Sequence, residues 1–144
     1  MTLKDFFKGD RFAVLAGCEL IEIREGYARA KMTVEDHHLN GGDFCQGGAI
    51  FTLADLAFAA AVNSHLVLTV STSSNISFFR SVPLGDTIYA EARELVDHHR
   101  MPYAEVHVTD EQGRLVAIFT SSGYRKQEVK LEGVEAPEVM TSNS

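Results

Sequence analysis

The sequence predicts an α+β domain in which a curved antiparallel sheet wraps around one long central apolar helix. Three observations carry this. The stretch Ala49-Ile-Phe-Thr-Leu-Ala-Asp-Leu-Ala-Phe-Ala-Ala-Ala-Val62 has fourteen residues, twelve of them apolar, and is rich in the strong helix formers Ala and Leu. It is apolar on every side, so it is expected to be buried all round. Nearly everything from Leu66 to Tyr124 reads as strand and turn. A flat sheet cannot cover a helix on all sides; a sheet that curls around it can, helped by a second molecule packed alongside.

The elements follow in order. Residues 2–16 read as a short helix or two, broken at Gly9, with Leu3, Phe6 and Phe7 on an apolar face. Residues 18–34 read as a β-hairpin turning at Glu25-Gly26. Residues 35–48 form a loop rich in His, Asn, Gly and Asp, whose length suits a functional loop. The helix over 49–62 ends near Asn63-Ser64. Strands are expected over Val67–Phe79, Thr87–Val96, Tyr103–Thr109 and Leu115–Tyr124, with turns at Pro83-Leu-Gly-Asp86 and Asp110-Glu-Gln-Gly113. Residues 1–125 make one domain, and the polar tail 126–144 is expected to be disordered.

Bulk composition narrows the function. At 144 residues the chain is long enough for one domain with a core. Its net charge of −7 argues against nucleic-acid binding, because no broad basic surface is available. Cys18 and Cys45 are far apart and form neither a zinc nor a redox motif, as expected of a reduced cytoplasmic protein. The N-terminus lacks a signal-peptide pattern, and a helix over 49–62 is shorter than the roughly 20 residues that cross a bilayer. No His, Cys or Asp cluster has metal-ligand spacing, and His37-His38, on an extended chain, would point apart.

Asp55 is the chemical anomaly. An ionised carboxylate in an apolar helix is costly and calls for a partner or a purpose. Gly47-Gly48, just before that helix, offer unpaired N–H groups at its positive end. A carboxylate eight residues beyond an anion site suits acyl transfer: one group attacks or activates water, the other holds the oxyanion. The rival reading of Asp55 is a structural acid bonded to a backbone group or a serine.

The segment Asn40-Gly-Gly-Asp-Phe-Cys-Gln-Gly-Gly-Ala-Ile-Phe-Thr-Leu-Ala-Asp55 resembles the loop-and-helix signature of hotdog-fold acyl-CoA thioesterases, in the phenylacetate-pathway (PaaI-like) branch. Ser77-Phe-Phe-Arg80 followed by Pro83-Leu-Gly-Asp86 is similar to that family's strand and turn. The resemblance covers about residues 10–125. It implies that Asp55 is nucleophile or general base, that the Gly47 N–H polarises the thioester carbonyl, and that Asn40 lies near the reacting group. Ser71 is similar in place to a serine on the facing strand of some members. The resemblance also implies a homodimer or homotetramer with each site built across two subunits, and no metal or organic cofactor. The family's His before the glycine pair is Gln46 here, which can orient a carbonyl or a water but cannot carry a proton at neutral pH.

For an acyl-CoA substrate, Gly48 joins the helix-start site, and Arg80, Arg100, Arg125 and Lys126 are candidate phosphate partners. Phe44, Phe51 and Phe58 are candidates for the acyl pocket. The function implied is hydrolysis of a small or medium acyl-CoA, aromatic acyl groups included. The rivals are a non-catalytic acyl-CoA or small-ligand binding module and a hydratase. A hydratase pairs its carboxylate with a close His, and none stands at a convincing distance from Asp55.

Overall fold

The computed structural model describes residues 1–137. The remaining part of the expected tail, 138–144, lies outside the described residues. Two single-turn helices, α1 (Leu3–Phe7) and α2 (Arg11–Leu15), open the chain. Thr2 caps α1 in a reciprocal box with Asp5, and the Asp10 carboxylate caps α2 at the Ala13 N–H. The hairpin β1 (Glu19–Arg24) and β2 (Tyr27–Thr33) turns at Gly26, whose φ of 70° is the left-handed region that glycine tolerates. Helix α3 (Gly47–Val62) follows, with 3-10 turns at Asp36–His38 and Asn63–His65 on either side. Then come β3 (Val67–Phe78), β4 (Thr87–Val96), β5 (Tyr103–Asp110) and β6 (Leu115–Lys130).

All six strands form one antiparallel sheet in the order β1-β2-β4-β5-β6-β3. The sheet packs on α3, as the hotdog resemblance implies. The inner face of its middle strands carries Ala28, Ala30, Ala90, Ala92 and Ala104, all fully buried. Ala54, Ala57, Ala60 and Ala61 of α3 are equally buried. Small side chains on both surfaces let the helix sit close to the sheet. Phe58 and Phe119, with ring centroids 6.0 Å apart, fill the space toward β6.

Four expectations change. The helix starts at Gly47 rather than Ala49, because its first N–H groups need no intrahelical acceptor and glycine is tolerated there. With the 3-10 turn, Gly47–His65 reaches 19 residues, so length no longer argues against a span; burial under the sheet does. The helix is also not buried all round: Gly48 is exposed, and Thr52, Asp55 and Ala59 form a half-open stripe at helical spacing. Finally, the last strand runs beyond residue 125 to Lys130, which pairs with Val67. Leu131 is buried and its N–H bonds to the Leu66 carbonyl, so 126–131 belong to the domain rather than to a disordered tail.

Replacing Ala90 by Leu should destabilise the fold by about 1–3 kcal/mol, because the helix leaves no room for added methylenes. Chemical denaturation measures this. A change under about 0.5 kcal/mol would show that α3 and the sheet are not in tight contact there.

Candidate active site

The site is built where α3 begins. His38 is buried, and its Nδ1 accepts the Glu35 N–H at 2.9 Å. The ring proton therefore sits on Nε2, which donates to the Ala16 carbonyl at 2.6 Å. The His38 carbonyl accepts the Gln46 N–H at 2.8 Å. One residue thus ties the end of α2 to the start of α3. Because His37 and His38 lie on a 3-10 turn, their rings sit 4.1 Å apart instead of pointing in opposite directions.

Asn40 shapes the loop itself. Its Oδ1 accepts the N–H groups of Gly42 (2.9 Å) and Phe44 (3.2 Å), while the Asn40 N–H donates to the Phe44 carbonyl. Asp43 takes the tight position with φ 65°. The second sequence motif holds this loop from outside. Cys45 N–H donates to the Val82 carbonyl, and Phe44 forms a bridge with Pro83. Gly85 and Asp86 exchange backbone bonds with Val34, with Gly85 at φ 92°.

At the helix start, the Gly47 and Gly48 N–H groups have no acceptor among the described residues. They are the donors that a helix N-terminus offers to an anion or a polarised carbonyl. A Cβ on Gly47 would lie 2.9 Å from Cζ of Phe78. Glycine at 47 thus admits the Phe78 ring, a packing reason beside the expected one of ligand approach. The exposed Gln46 makes no side-chain cap and lies over Gly48, where a Cβ would meet its Oε1 at 3.0 Å.

Asp55 is half-buried and has no hydrogen-bond or ion-pair partner among the described residues. Burial, with a smaller contribution from the Asp10 charge, pushes its pKa above the ordinary 3.8. Elsewhere the chain pairs its buried acids. The Glu94 carboxylate lies between His65 Nε2 (2.7 Å) and the Arg125 guanidinium (3.0 Å). Asp110 accepts three bonds, from the backbones of Gln112 and Arg114 and from the Arg114 side chain, which hold it below its usual range.

The remaining candidates separate. Phe44 stands exposed on the loop, and Ser71 is exposed on the edge strand β3 opposite Gly123. Arg80 is exposed just beyond β3, without an ion pair among the described residues. Arg125 is withdrawn from phosphate binding: it is buried and pairs with Glu94 and Asp97. Phe58 is fully buried core, whereas Phe51 is half-buried with its ring edge-on to Phe119 at 5.2 Å. Folding also creates a cluster that linear spacing hides. His65, Glu94 and Asp97 offer ligand atoms within 4.8 Å of one another, but Arg125 already supplies the positive charge that a metal would bring.

A cleft of about 350 Å³ opens beside the helix start, lined by Phe12, Leu15, Ala16, Leu39, Ala49 and Thr52 and bounded by His37, His38, Gln46 and Gly48. No sequence signal marked Phe12 or Leu15, because a single helical turn has too few residues to show a period.

The thioesterase superfamily profile matches residues 42–117, more than half of the chain. The chain belongs to this family. It is 34% identical over 119 residues to the acyl-coenzyme A thioesterase PaaI of Escherichia coli K12, covering 83% of this chain and 85% of that protein. The solved structure of the E. coli PaaI protein from the phenylacetic acid degradation operon superposes with a TM-score of 0.84 at 30% identity, over 91% of this chain and 92% of that one. A Streptococcus mutans protein solved with acetyl-CoA bound has a TM-score of 0.75 at 27% identity, covering 78% and 91%. This thioesterase is therefore a PaaI-like hotdog protein and a thioester hydrolase.

Replacing Asp55 by Asn should raise the melting temperature at neutral pH, because a desolvated charge is removed. The sign follows from the raised pKa. Protonation favours the folded state below the unfolded value near 3.8, and that stabilisation is lost as pH rises through the higher folded value. The gain from Asn should therefore shrink as pH falls toward 4. Melting curves of both proteins at pH 4–8 decide it, and equal stability at neutral pH would contradict an unpaired Asp55.

Proposed function

We propose that this thioesterase hydrolyses small or medium acyl-CoA thioesters at a site shared between two copies of the chain. The supporting observation is a length. Gly47 and Asp55 are eight residues apart on one helix, a rise of about 12 Å. A thioester carbonyl held by the Gly47 N–H cannot reach the Asp55 carboxylate of the same chain. A carboxylate from a neighbouring copy removes the conflict.

Edge strand β3 is the natural seam. It is twelve residues long, with Ser71 on it and with Val70 and Phe78 exposed, and it has a strand neighbour on one side only. Such an edge invites pairing with a second copy. In the resulting homodimer, or a homotetramer built from it, Asp55 takes a proton from water as the water oxygen attacks the carbonyl carbon. The oxyanion is held by Gly47 N–H, an interaction worth about 2.7–4 kcal/mol. Collapse expels the CoA thiolate, which takes up the proton. Gln46 and Asn40 orient the carbonyl and the loop. Direct attack by Asp55, which expels the CoA thiolate and forms a mixed anhydride, is the alternative route; water that opens the anhydride at the Asp55 carbonyl leaves solvent ¹⁸O in the side chain.

Arg80 stands two residues beyond Phe78, whose ring covers Gly47, and suits the phosphates of CoA. Two unpaired buried cysteines and a CoA substrate fit a cytoplasmic setting.

Asp55→Ala should lower acyl-CoA hydrolysis at least about 10²-fold. Asp55→Ala and Gly47→Val chains, each inactive alone, should regain roughly a quarter of wild-type activity when unfolded together and refolded at equal ratio, since half of random dimers then hold one intact site. No recovery despite confirmed mixed dimers would refute the shared site.

Gln46→His should retain activity within about tenfold if this position only orients. A larger loss in steady-state assays would assign Gln46 a role in the chemistry.

A further inference from the structure

We infer that α2 recognises the acyl group, with Phe12 and Leu15 as the specificity-determining side chains. The inference rests on the thioesterase reading and deepens it. Phe12 is 69% exposed and Leu15 78%, so the fold gains little from either. They stand three residues apart on one helical turn, and both line the cleft beside α3. The cleft reaches Gly48, so it opens directly onto the unpaired N–H groups where the carbonyl is held.

The chemistry of its wall selects the occupant. Phe12, Leu15, Ala16, Leu39 and Ala49 are apolar, and no Lys or Arg is among the lining residues. Apart from the amides at the helix start, this wall therefore offers the phosphates of CoA no Lys or Arg, whereas the exposed Arg80 lies two residues beyond Phe78, which packs on the neighbouring glycine. A thioester pinned at the helix start directs its acyl end into the cleft and its CoA end toward Arg80. At about 350 Å³ the space is at the small end of ligand sites and admits a medium aliphatic or single-ring aryl acyl group. His38 holds α2 in place through the Ala16 carbonyl, so this wall is positioned by the same residue that positions the helix start.

The test is a substrate ratio. Hydrolysis of acetyl-, hexanoyl- and benzoyl-CoA is measured for wild type, Phe12→Ala, Leu15→Ala and Leu15→Trp, with molecular mass in solution monitored. Truncation should lower kcat/KM for hexanoyl- and benzoyl-CoA relative to acetyl-CoA by roughly ten- to hundredfold, in line with losing the apolar area that a bound acyl group covers on a large side chain. Leu15→Trp, which narrows the cleft, should shift the profile toward acetyl-CoA as well. Unchanged ratios, or equal losses on all three substrates with dissociation of the assembly, would overturn the inference and make this face a subunit contact.

A binding arm separates the inference from the reading beneath it. S-hexyl-CoA, a non-hydrolysable thioether, should bind more tightly than CoA, and Phe12→Ala should abolish most of that difference. If wild type hydrolyses no thioester yet keeps this Phe12-dependent preference, the hydrolytic reading falls and the acyl cleft stands. If it hydrolyses thioesters but shows no such preference, the acyl cleft falls alone. If it neither hydrolyses nor prefers the thioether, both fall.

Discussion

The height of α3 above the sheet depends on alanine packed against alanine. Ala54, Ala57, Ala60 and Ala61 of the helix and Ala28, Ala30, Ala90, Ala92 and Ala104 of the sheet are buried without remainder. Alanine has no rotamers to freeze, so close approach costs no side-chain entropy. It also leaves few alternative packings along the helix axis. Phe58 and Phe119 then fill the wider space toward β6. With the axis held this way, the first turn of α3 falls between the 39–45 loop and Phe78. The position of the Gly47 and Gly48 N–H groups is thus a consequence of core packing.

Charge treatment differs sharply between this site and the rest of the domain. Glu94 lies between His65 and Arg125, and Asp110 is bonded by Arg114 and two backbone amides. Hydrogen bonding to Glu94 in turn holds the His65 imidazole above its usual pKa. Unlike Glu94 and Asp110, the half-buried Asp55 has no hydrogen-bond or ion-pair partner among the described residues. A carboxylate left in that state is destabilising at neutral pH and is a stronger base than a solvated one. In the proposed mechanism this local cost is traded against stability.

The loop before α3 and the turn after β3 are a single physical unit. Backbone bonds from Cys45 to Val82 and between Val34 and residues 85–86 clamp the two segments together. Asn40 closes the loop from inside through two backbone amides. This explains why two short motifs, within residues 40–55 and 77–86, pointed to one function: each holds a side of the helix start.

The apolar run 49–62, the alternating strands and the turn glycines already determined the α+β class and the element order, because helix and strand periods are local properties of the chain. The same holds for Asp55 and the glycine pair, whose residue types are unusual in their immediate surroundings. Other features depended on contacts between distant segments. The extension of β6 to Lys130 exists because β3 lies beside it. The His65–Glu94–Arg125 cluster joins three elements. Phe58 was assigned to the core by Phe119, and Phe12 and Leu15 were placed beside the helix start by the His38 tie to Ala16. Local pattern chooses the elements because backbone geometry acts over a few residues. Which side chains meet in a cleft is decided by packing across the whole domain, and no spacing along the chain encodes it.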